Sequence, residues 1–314
     1  MKRVAVVGAG AMGSVYGALL SRVADVVLLD VNREHVEAIR RDGLALELPE
    51  GGAEVFEVSA ASEPFGLGTF DLVLVFVKSY STAEVAPLLR DLLGEGGFAM
   101  SLQNGMGNAE IVASVVGDER VICGTTTFGA TYLGPGRVRL AGRGRTRFGP
   151  WSKGLSPSSL GWVEDLMREA GLEPEVVEDP RVLLWEKLFV NAAINPLTAL
   201  LAVENGMVAS EEHLRAVARS LVAEAVAVAR AEGYHFDEER AFEEVLEVAR
   251  RTGKNRSSML QDVLFGRRTE IGAINGQVVE RGSRVGVPTP VNAAVVELIR
   301  FVEKGYGRIC LDLR

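Results

Sequence analysis

The sequence is short of cysteine, of uninterrupted apolar runs and of surplus positive charge, and each shortage closes off a class of protein. Two cysteines in 314 residues, Cys123 and Cys310, cannot build a disulfide framework, so a reducing cytoplasm is the expected location. No apolar run reaches the roughly 18 residues of a membrane span. Met1-Lys2-Arg3 leads straight into a strand-like segment, which is not the pattern of a signal peptide, and no membrane partner is expected. Lys and Arg number 34 against 42 Asp and Glu, a net charge of −8. That balance argues against nucleic acid as a partner and requires any anionic ligand to be met by locally placed donors. Internal repeats, low-complexity runs and flexible linkers are absent. What is left, at 47% hydrophobic and 24% charged, is an ordinary globular composition. The length is generous for one core, so two domains are expected.

The first half of the chain carries a phosphate-binding pattern in its required setting. Residues 3–7 form a continuous β-branched run of the kind buried in a parallel sheet. The run enters Gly8-Ala9-Gly10-Ala11-Met12-Gly13, and helical character follows from Ser14. In G-x-G-x-x-G between a strand and a helix, the first glycine makes a tight turn and the second leaves room for a pyrophosphate. The third lets the helix pack closely, and the helix N-terminus faces the phosphates. A second strand, 25–29, ends at Asp30, where an acid accepts hydrogen bonds from both ribose hydroxyls and repels a 2′-phosphate. Asp30 reads equally as an N-cap for a helix over 32–41, and Arg33 nearby offers a phosphate partner. Strands over 44–48 and 54–58 flank Pro49-Glu50-Gly51-Gly52 as an inserted hairpin. Further strands over 71–77 and 98–102 end in Lys78-Ser79-Tyr80 and Gln103-Asn104-Gly105-Met106-Gly107. Ligands bind beyond the carboxyl ends of parallel strands, where Gly13, Asp30, Lys78 and Asn104 all fall. A solvated loop charge at Lys78 and a plain turn at Asn104-Gly105 are the simpler alternatives. Strand 121–124 then leads to a hairpin turn at Gly134-Pro135-Gly136, with strands over 137–140 and 146–149. Arg137, Arg139, Arg143, Arg145 and Arg147 alternate there without interleaved aromatics, as on a solvated sheet face.

After Glu178-Asp179-Pro180 the pattern becomes helical throughout. Helices are expected over 182–195, with a restart at Pro196, then over 211–232, 237–251, 259–265, 270–284 and 291–304. Asp237 and Thr289-Pro290 read as helix starts. The first of these helices carries Lys187, Asn191 and Asn195, spaced four apart on one face of an otherwise apolar or small-residue segment. One lysine with two amides suggests a buried polar groove, since buried polar groups need partners. The same stripe could serve structural hydrogen bonds instead. Ser258 before Met259-Leu260-Gln261 has the form of a capping box. Glu270 would stand in the first turn of its helix, where the dipole favours an acid. The fold expected is α/β: a Rossmann-like dinucleotide-binding domain over 1–178, then an all-helical domain over 179–314 that carries substrate and catalytic groups.

Taken together these segments resemble the 2-dehydropantoate 2-reductase (ketopantoate reductase) family. The resemblance rests on Gly8–Gly13, Gln103–Gly107, Gly124-Thr-Thr-Thr-Phe-Gly-Ala130, Trp185-Glu-Lys-Leu-Phe-Val-Asn-Ala-Ala-Ile-Asn-Pro-Leu-Thr198, and Ser257-Ser-Met-Leu-Gln-Asp262 with Thr269-Glu-Ile271. It implies reduction of a small anionic 2-keto acid, 2-dehydropantoate, to pantoate in pantothenate synthesis, with NAD(P)H as cofactor and no metal. By motif, the proton-donating lysine falls on Lys187. Substrate-contacting amides fall on Asn191, Asn195 and Asn205, and the serine on Ser258. The asparagine near both cofactor and substrate falls on Asn104, a main-chain cofactor contact on Ala130, and the glutamate, counted with the cofactor contacts, on Glu270. The family default is NADPH, often with an arginine after the second strand and a glutamine shortly after the lysine matching Lys78. Here Asp30-Val31-Asn32 and Ser81 stand instead, which leans towards NADH. Two other readings carry weight: a related two-domain 2-hydroxyacid or imine reductase, and a dinucleotide sensor without catalysis, against which a retained Lys187 argues. A homodimer is compatible with the sequence.

Overall fold

The valine-rich run near the N-terminus lies in the middle of a sheet. β1 (Arg3–Val7) pairs in parallel with β2 (Asp25–Leu29), and Val4, Ala5, Val6 and Val7 are all buried, as a strand covered on both faces requires. The computed structural model describes residues 1–305; Cys310 and the rest of 306–314 lie outside the described residues. α1 (Ala11–Leu20) joins these two strands, and α2 (Arg33–Asp42) follows. Next come β3 (Leu44–Glu47), β4 (Ala53–Phe56), β5 (Ser59–Ala61), β6 (Phe70–Val75), α3 (Thr82–Leu92), β7 (Leu93–Ser101), α4 (Asn108–Val116) and β8 (Val121–Thr126). β9 (Gly129–Gly134), β10 (Arg137–Gly142), β11 (Thr146–Pro150), α5 (Gly161–Glu169) and β12 (Pro174–Val176) complete this part.

Eight strands form one sheet in the order β12-β11-β8-β7-β6-β1-β2-β5. All neighbours are parallel except β8 and β11. The run β5-β2-β1-β6-β7-β8 is the doubly wound Rossmann order, with its switch point between β1 and β6. A second sheet, β4-β3-β10-β9, holds the inserted hairpin. The Gly134-Pro135-Gly136 turn joins β9 to β10, whereas β11 crosses to the main sheet, antiparallel to β8. Of the arginine cluster, Arg137 and Arg139 pair with Glu47, Arg143 with Glu50 and Arg147 with Glu175, all near the surface.

The helical part consists of α6 (Pro180–Leu201), α7 (Met207–Ser210), α8 (Glu212–Ala231), α9 (Glu238–Arg251), α10 (Ser258–Leu264), α11 (Asn275–Val285) and α12 (Pro290–Lys304). α8 buries Ala218, Leu221, Val222, Ala225, Val226 and Ala229, a stripe at spacings of three and four. It packs against α7, α9, α11 and α12. Contacts divide the chain into two compact units, one of residues 1–103 and 108–183, the other of Asn104–Gly107 and Leu184–Arg314. Among the described residues no helix is long and apolar enough to cross a membrane.

Three expected features of the helical part differ. The helix does not restart at Pro196, because α6 runs through it. Proline has no N–H, which leaves the carbonyl four residues earlier, that of Ala192, without its helical donor. Asn275 Nδ2 donates to this oxygen at 2.9 Å and replaces the missing bond. Asn275 is fully buried, and its other Nδ2 hydrogen reaches Asn292 Oδ1 at 2.9 Å. Thr289 makes no side-chain cap on α12; the Glu224 carboxylate accepts from Val291 N and Asn292 N at 2.8 and 2.9 Å instead. Asp237 does cap α9, accepting from Arg240 N at 2.8 Å. The helix expected over 270–284 starts only at Asn275, so Glu270 is not in its first turn. Residues 270–274 form a tight turn in which Ala273 N and Ile274 N donate to the Glu270 carbonyl.

Asn275→Ala is expected to cost about 1–3 kcal/mol, since it strands a buried carbonyl. Pro196→Ala restores a helical N–H, so the same change in that background should cost less. Urea unfolding of the four proteins measures this coupling; equal costs in both backgrounds would show that Asn275 does not stand in for the missing donor.

Candidate active site

In the first unit, the glycine loop is built from three constraints. Gly8 has φ +96°, and a Cβ there would lie 2.5 Å from Val77 N. A Cβ at Gly13 would lie 2.0 Å from the Gly8 carbonyl oxygen, so α1 can start close against the loop only with glycine. Gly10 is different. Its φ is −64°, and nothing lies within 4 Å of where its Cβ would be. No internal contact requires a glycine there, which fits a position kept bare for a ligand to approach. Gly10 is also the N-cap of α1 and makes no side-chain cap, leaving the first-turn N–H groups beside Ala11 and Met12 for an anion.

The loop is held from behind. Ser14 Oγ donates to the Ala9 carbonyl at 2.7 Å and lies 3.1 Å from His35 Nε2. Gly136 N–H donates to His35 Nδ1 at 2.9 Å, which places the ring proton on Nε2. Burial lowers the His35 pKa, against the pull of the Asp30 carboxylate, so the ring is neutral. Neither Ser14 nor His35 stands out in the sequence, where both look like ordinary helix residues.

Asp30, partly buried at the end of β2, accepts from Asn32 N at 2.8 Å. The α2 cap is Asn32, whose side chain accepts from His35 N, so Asp30 does not hold the capping position. A cavity of about 350 Å³ is lined by Gly8, Asp30, Val31, Glu63 and Phe65 with several aliphatic side chains. Apolar walls with a carboxylate at the end of β2 suit an adenosine. Lys78 follows β6 and is partly buried. Ala130 lies in β9 of the smaller sheet, opposite Leu140.

In the second unit, α6 carries Lys187, Asn191 and Asn195 on successive turns. Lys187 is partly buried. Withdrawal of its ammonium from water pulls the pKa down to about 8, while the Glu270 carboxylate acts in the opposite direction. Glu270 is itself buried, and Asn104 Nδ2 approaches Glu270 Oε2 at 3.5 Å, a long contact. The segment carrying Asn104 is anchored by Met106 N donating to the Ala273 carbonyl at 2.9 Å. Gly105 has φ +80°, and a Cβ there would lie 2.2 Å from that same carbonyl oxygen. Only glycine lets the two turns approach so closely.

The amides are incompletely satisfied. Asn195 Nδ2 and Asn205 Oδ1 are buried and have no hydrogen-bond partner among the described residues. Asn205 is otherwise fixed, with Nδ2 donating to Thr252 Oγ1 and its backbone N to the Asn255 carbonyl, both at 3.0 Å. A buried donor and a buried acceptor without partners are uncommon and suit a polar ligand. Asn191 is partly buried. Ser258 is exposed and is not the α10 cap. That position belongs to Ser257, whose Oγ accepts from Leu260 N at 3.1 Å. Thr198 Oγ1 fixes the Ser257 hydroxyl at 2.7 Å, so the start of the helix shifts by one residue from the capping-box register.

The chain matches the family described as "Ketopantoate reductase PanE/ApbA" over residues 4–153 and its C-terminal counterpart, "Ketopantoate reductase PanE/ApbA C terminal", over residues 180–303. It is 38% identical over 305 residues to a 2-dehydropantoate 2-reductase of Archaeoglobus fulgidus, covering 97% of this chain and 99% of the relative. A protein of the same name from Halobacterium salinarum is 38% identical over 303 residues, 96% and 99% of the two chains. Among solved structures, a PanE/ApbA family ketopantoate reductase from Ralstonia eutropha JMP134 superposes with a TM-score of 0.87 at 34% identity, covering 98% and 100%. A ternary structure of D-mandelate dehydrogenase with NADH and anilino(oxo)acetate superposes at 0.92 with 26% identity, covering 97% and 99%.

Glu270→Gln removes the charge that supports the Lys187 ammonium, so the lysine pKa should fall below about 8. NMR titration of isotopically labelled lysine side chains reads this; an unchanged or higher value would mean that the two groups do not interact.

Proposed function

The chain belongs to the ketopantoate reductase family, and on that basis we propose that it reduces 2-dehydropantoate to pantoate with a reduced nicotinamide dinucleotide. Residues 1–178 are assigned to dinucleotide binding and 179–314 to substrate and catalysis. The observation that carries the reading is Lys187, a lysine whose pKa is drawn down to about 8 on a helix face shared with two amides. An ammonium near that value is still mostly protonated at neutral pH yet is a far better acid than a free lysine.

When bound, a reduced nicotinamide would supply the hydride for reduction of the ketone. Lys187 stabilises the negative charge that grows on the ketone oxygen and transfers its Nζ proton there. Glu270 keeps the ammonium from losing that proton too early. The Asn195 Nδ2 donor and the Asn205 Oδ1 acceptor, with Asn191 and Ser258, are assigned to the substrate's carboxylate and hydroxyl. Neutral amides can do this without placing another charge beside the lysine. Asn104, near Glu270, is assigned to both substrate and cofactor.

On the cofactor side, Gly8, Ala9, Gly10, Ala11, Met12 and Gly13 are assigned to the pyrophosphate, Asp30 to the adenosine ribose, and Lys78, Ala130 and Glu270 to further contacts. NADH is the preferred donor in this reading. Asp30 shares its cavity with a second carboxylate, Glu63, and the residues after Asp30 are Val31 and Asn32 rather than arginine. A second reading, reduction of a bulkier 2-keto acid, is favoured by the superposition with D-mandelate dehydrogenase. Dinucleotide oxidation followed at 340 nm with 2-dehydropantoate or phenylglyoxylate, each with NADH and NADPH, separates them. Turnover of 2-dehydropantoate at least about tenfold more efficient supports the first reading, and preference for phenylglyoxylate the second.

Lys187→Ala should lower kcat by about 10²–10⁴ while dinucleotide affinity is unchanged. In the wild type, the reduction rate should fall as pH rises through about 8, because the acid form of Lys187 is required. Turnover of the variant within about threefold of wild type would remove the proton-donor role. Asp30→Ala should shift kcat/KM towards NADPH; a wild type that already favours NADPH by about tenfold would overturn the reading of Asp30.

A further inference from the structure

We propose that Glu63 sets cofactor choice through a second residue: it holds the Arg33 guanidinium, which would otherwise be free to meet the 2′-phosphate of NADPH. The proposal rests on the dinucleotide reading of the Asp30 cavity. Arg33 is the first residue of α2, three positions after Asp30. An arginine so placed is what a dinucleotide fold uses to accept a 2′-phosphate. Here its Nη2 lies 3.6 Å from Glu63 Oε1.

Topology brings the acid there. β5 runs parallel to β2 with Leu29 opposite Ala61, and Asp30 N donates to the Ala61 carbonyl at 3.1 Å. The segments leaving the two strands therefore start side by side, and Asp30, Val31, Ser62, Glu63 and Phe65 line one cavity. Glu63 acts twice in this arrangement. Its charge occupies a phosphate-binding candidate three positions from Asp30, and it adds a second negative charge to the same wall. Both partners are largely exposed, with side chains at 75% and 62%. Such an exposed pair is weak, so releasing the arginine should change affinity only several-fold.

The test uses adenosine 2′,5′-bisphosphate and adenosine 5′-monophosphate as probes, with dissociation constants from calorimetry, so that no turnover is needed. Wild type, Glu63→Gln, Arg33→Ala and the double variant form a cycle. In Glu63→Gln the bisphosphate should bind about fivefold more tightly, with the monophosphate within about twofold of wild type. In the Arg33→Ala background most of that gain should disappear, leaving only what direct repulsion by Glu63 contributes. The intact dinucleotides, followed by nicotinamide fluorescence, should show the same pattern. A bisphosphate affinity unmoved by Glu63→Gln overturns the proposal. So does an equal gain with Arg33 removed, which would mean that Glu63 acts by direct repulsion. A wild type that binds the bisphosphate more tightly than the monophosphate refutes the NADH preference, while the cycle still decides the role of Glu63. Failure of the monophosphate to bind any of the four proteins refutes the dinucleotide reading, and the proposal with it.

Discussion

The desolvation of one ammonium, that of Lys187, is the constraint to which the rest of the second unit answers. Its pKa in the fold, about 8, lies below the ordinary lysine value of 10.5. The folded state therefore binds fewer protons than the unfolded chain between those values, and stability rises with pH across that window. Below about pH 8 the cost is present in full, on the order of 3 kcal/mol for a shift of this size. A buried Glu270 limits that cost, and the turn over residues 270–274 places it. The same turn offers the Ala273 carbonyl to Met106 N, so Asn104 and Glu270 are fixed by one local structure.

The stripe also needs an unbroken helix. Lys187, Asn191 and Asn195 stay on one face, four residues apart in turn, only if α6 retains its geometry up to Pro196 and beyond. A proline there would ordinarily kink or end the helix. The buried Asn275 amide prevents this by supplying the donor that proline lacks. Asn275 is in turn held by Asn292, and Asn292 Nδ2 donates to Glu224 Oε2 at 2.7 Å. Three polar residues from three helices thus maintain the helix that carries Lys187, Asn191 and Asn195.

Much of this was legible in the sequence where the signal was local. The strand, glycine loop and helix at the N-terminus, the acid at the end of the second strand, and the lysine–amide stripe all rest on spacing within a few residues. What was not legible depends on distant partners. Pro196 reads as a break because its compensating donor lies 79 positions away, at Asn275. Thr289 has the right form for a cap, yet Glu224 of α8 supplies the acceptor. Ser258 fits the capping-box spacing, but Thr198 selects Ser257. In each case a tertiary hydrogen bond outweighed a local preference worth about 1 kcal/mol. Glu63 is not legible in the sequence for the same reason, since only the pairing of β2 with β5 brings it beside Asp30.

The first unit follows a different logic, in which bare backbone is the distinguishing feature. Gly8 and Gly13 are demanded by contacts inside the protein, whereas nothing in the protein demands Gly10. Whether Lys187 delivers a proton can be measured directly. Single-turnover reduction of 2-dehydropantoate by Lys187→Ala, with small primary amines added, tests this most directly. The rate should rise with amine concentration and follow the fraction of amine in its protonated form. A rate indifferent to every amine, in a variant that still binds dinucleotide and substrate, would contradict proton delivery by Lys187.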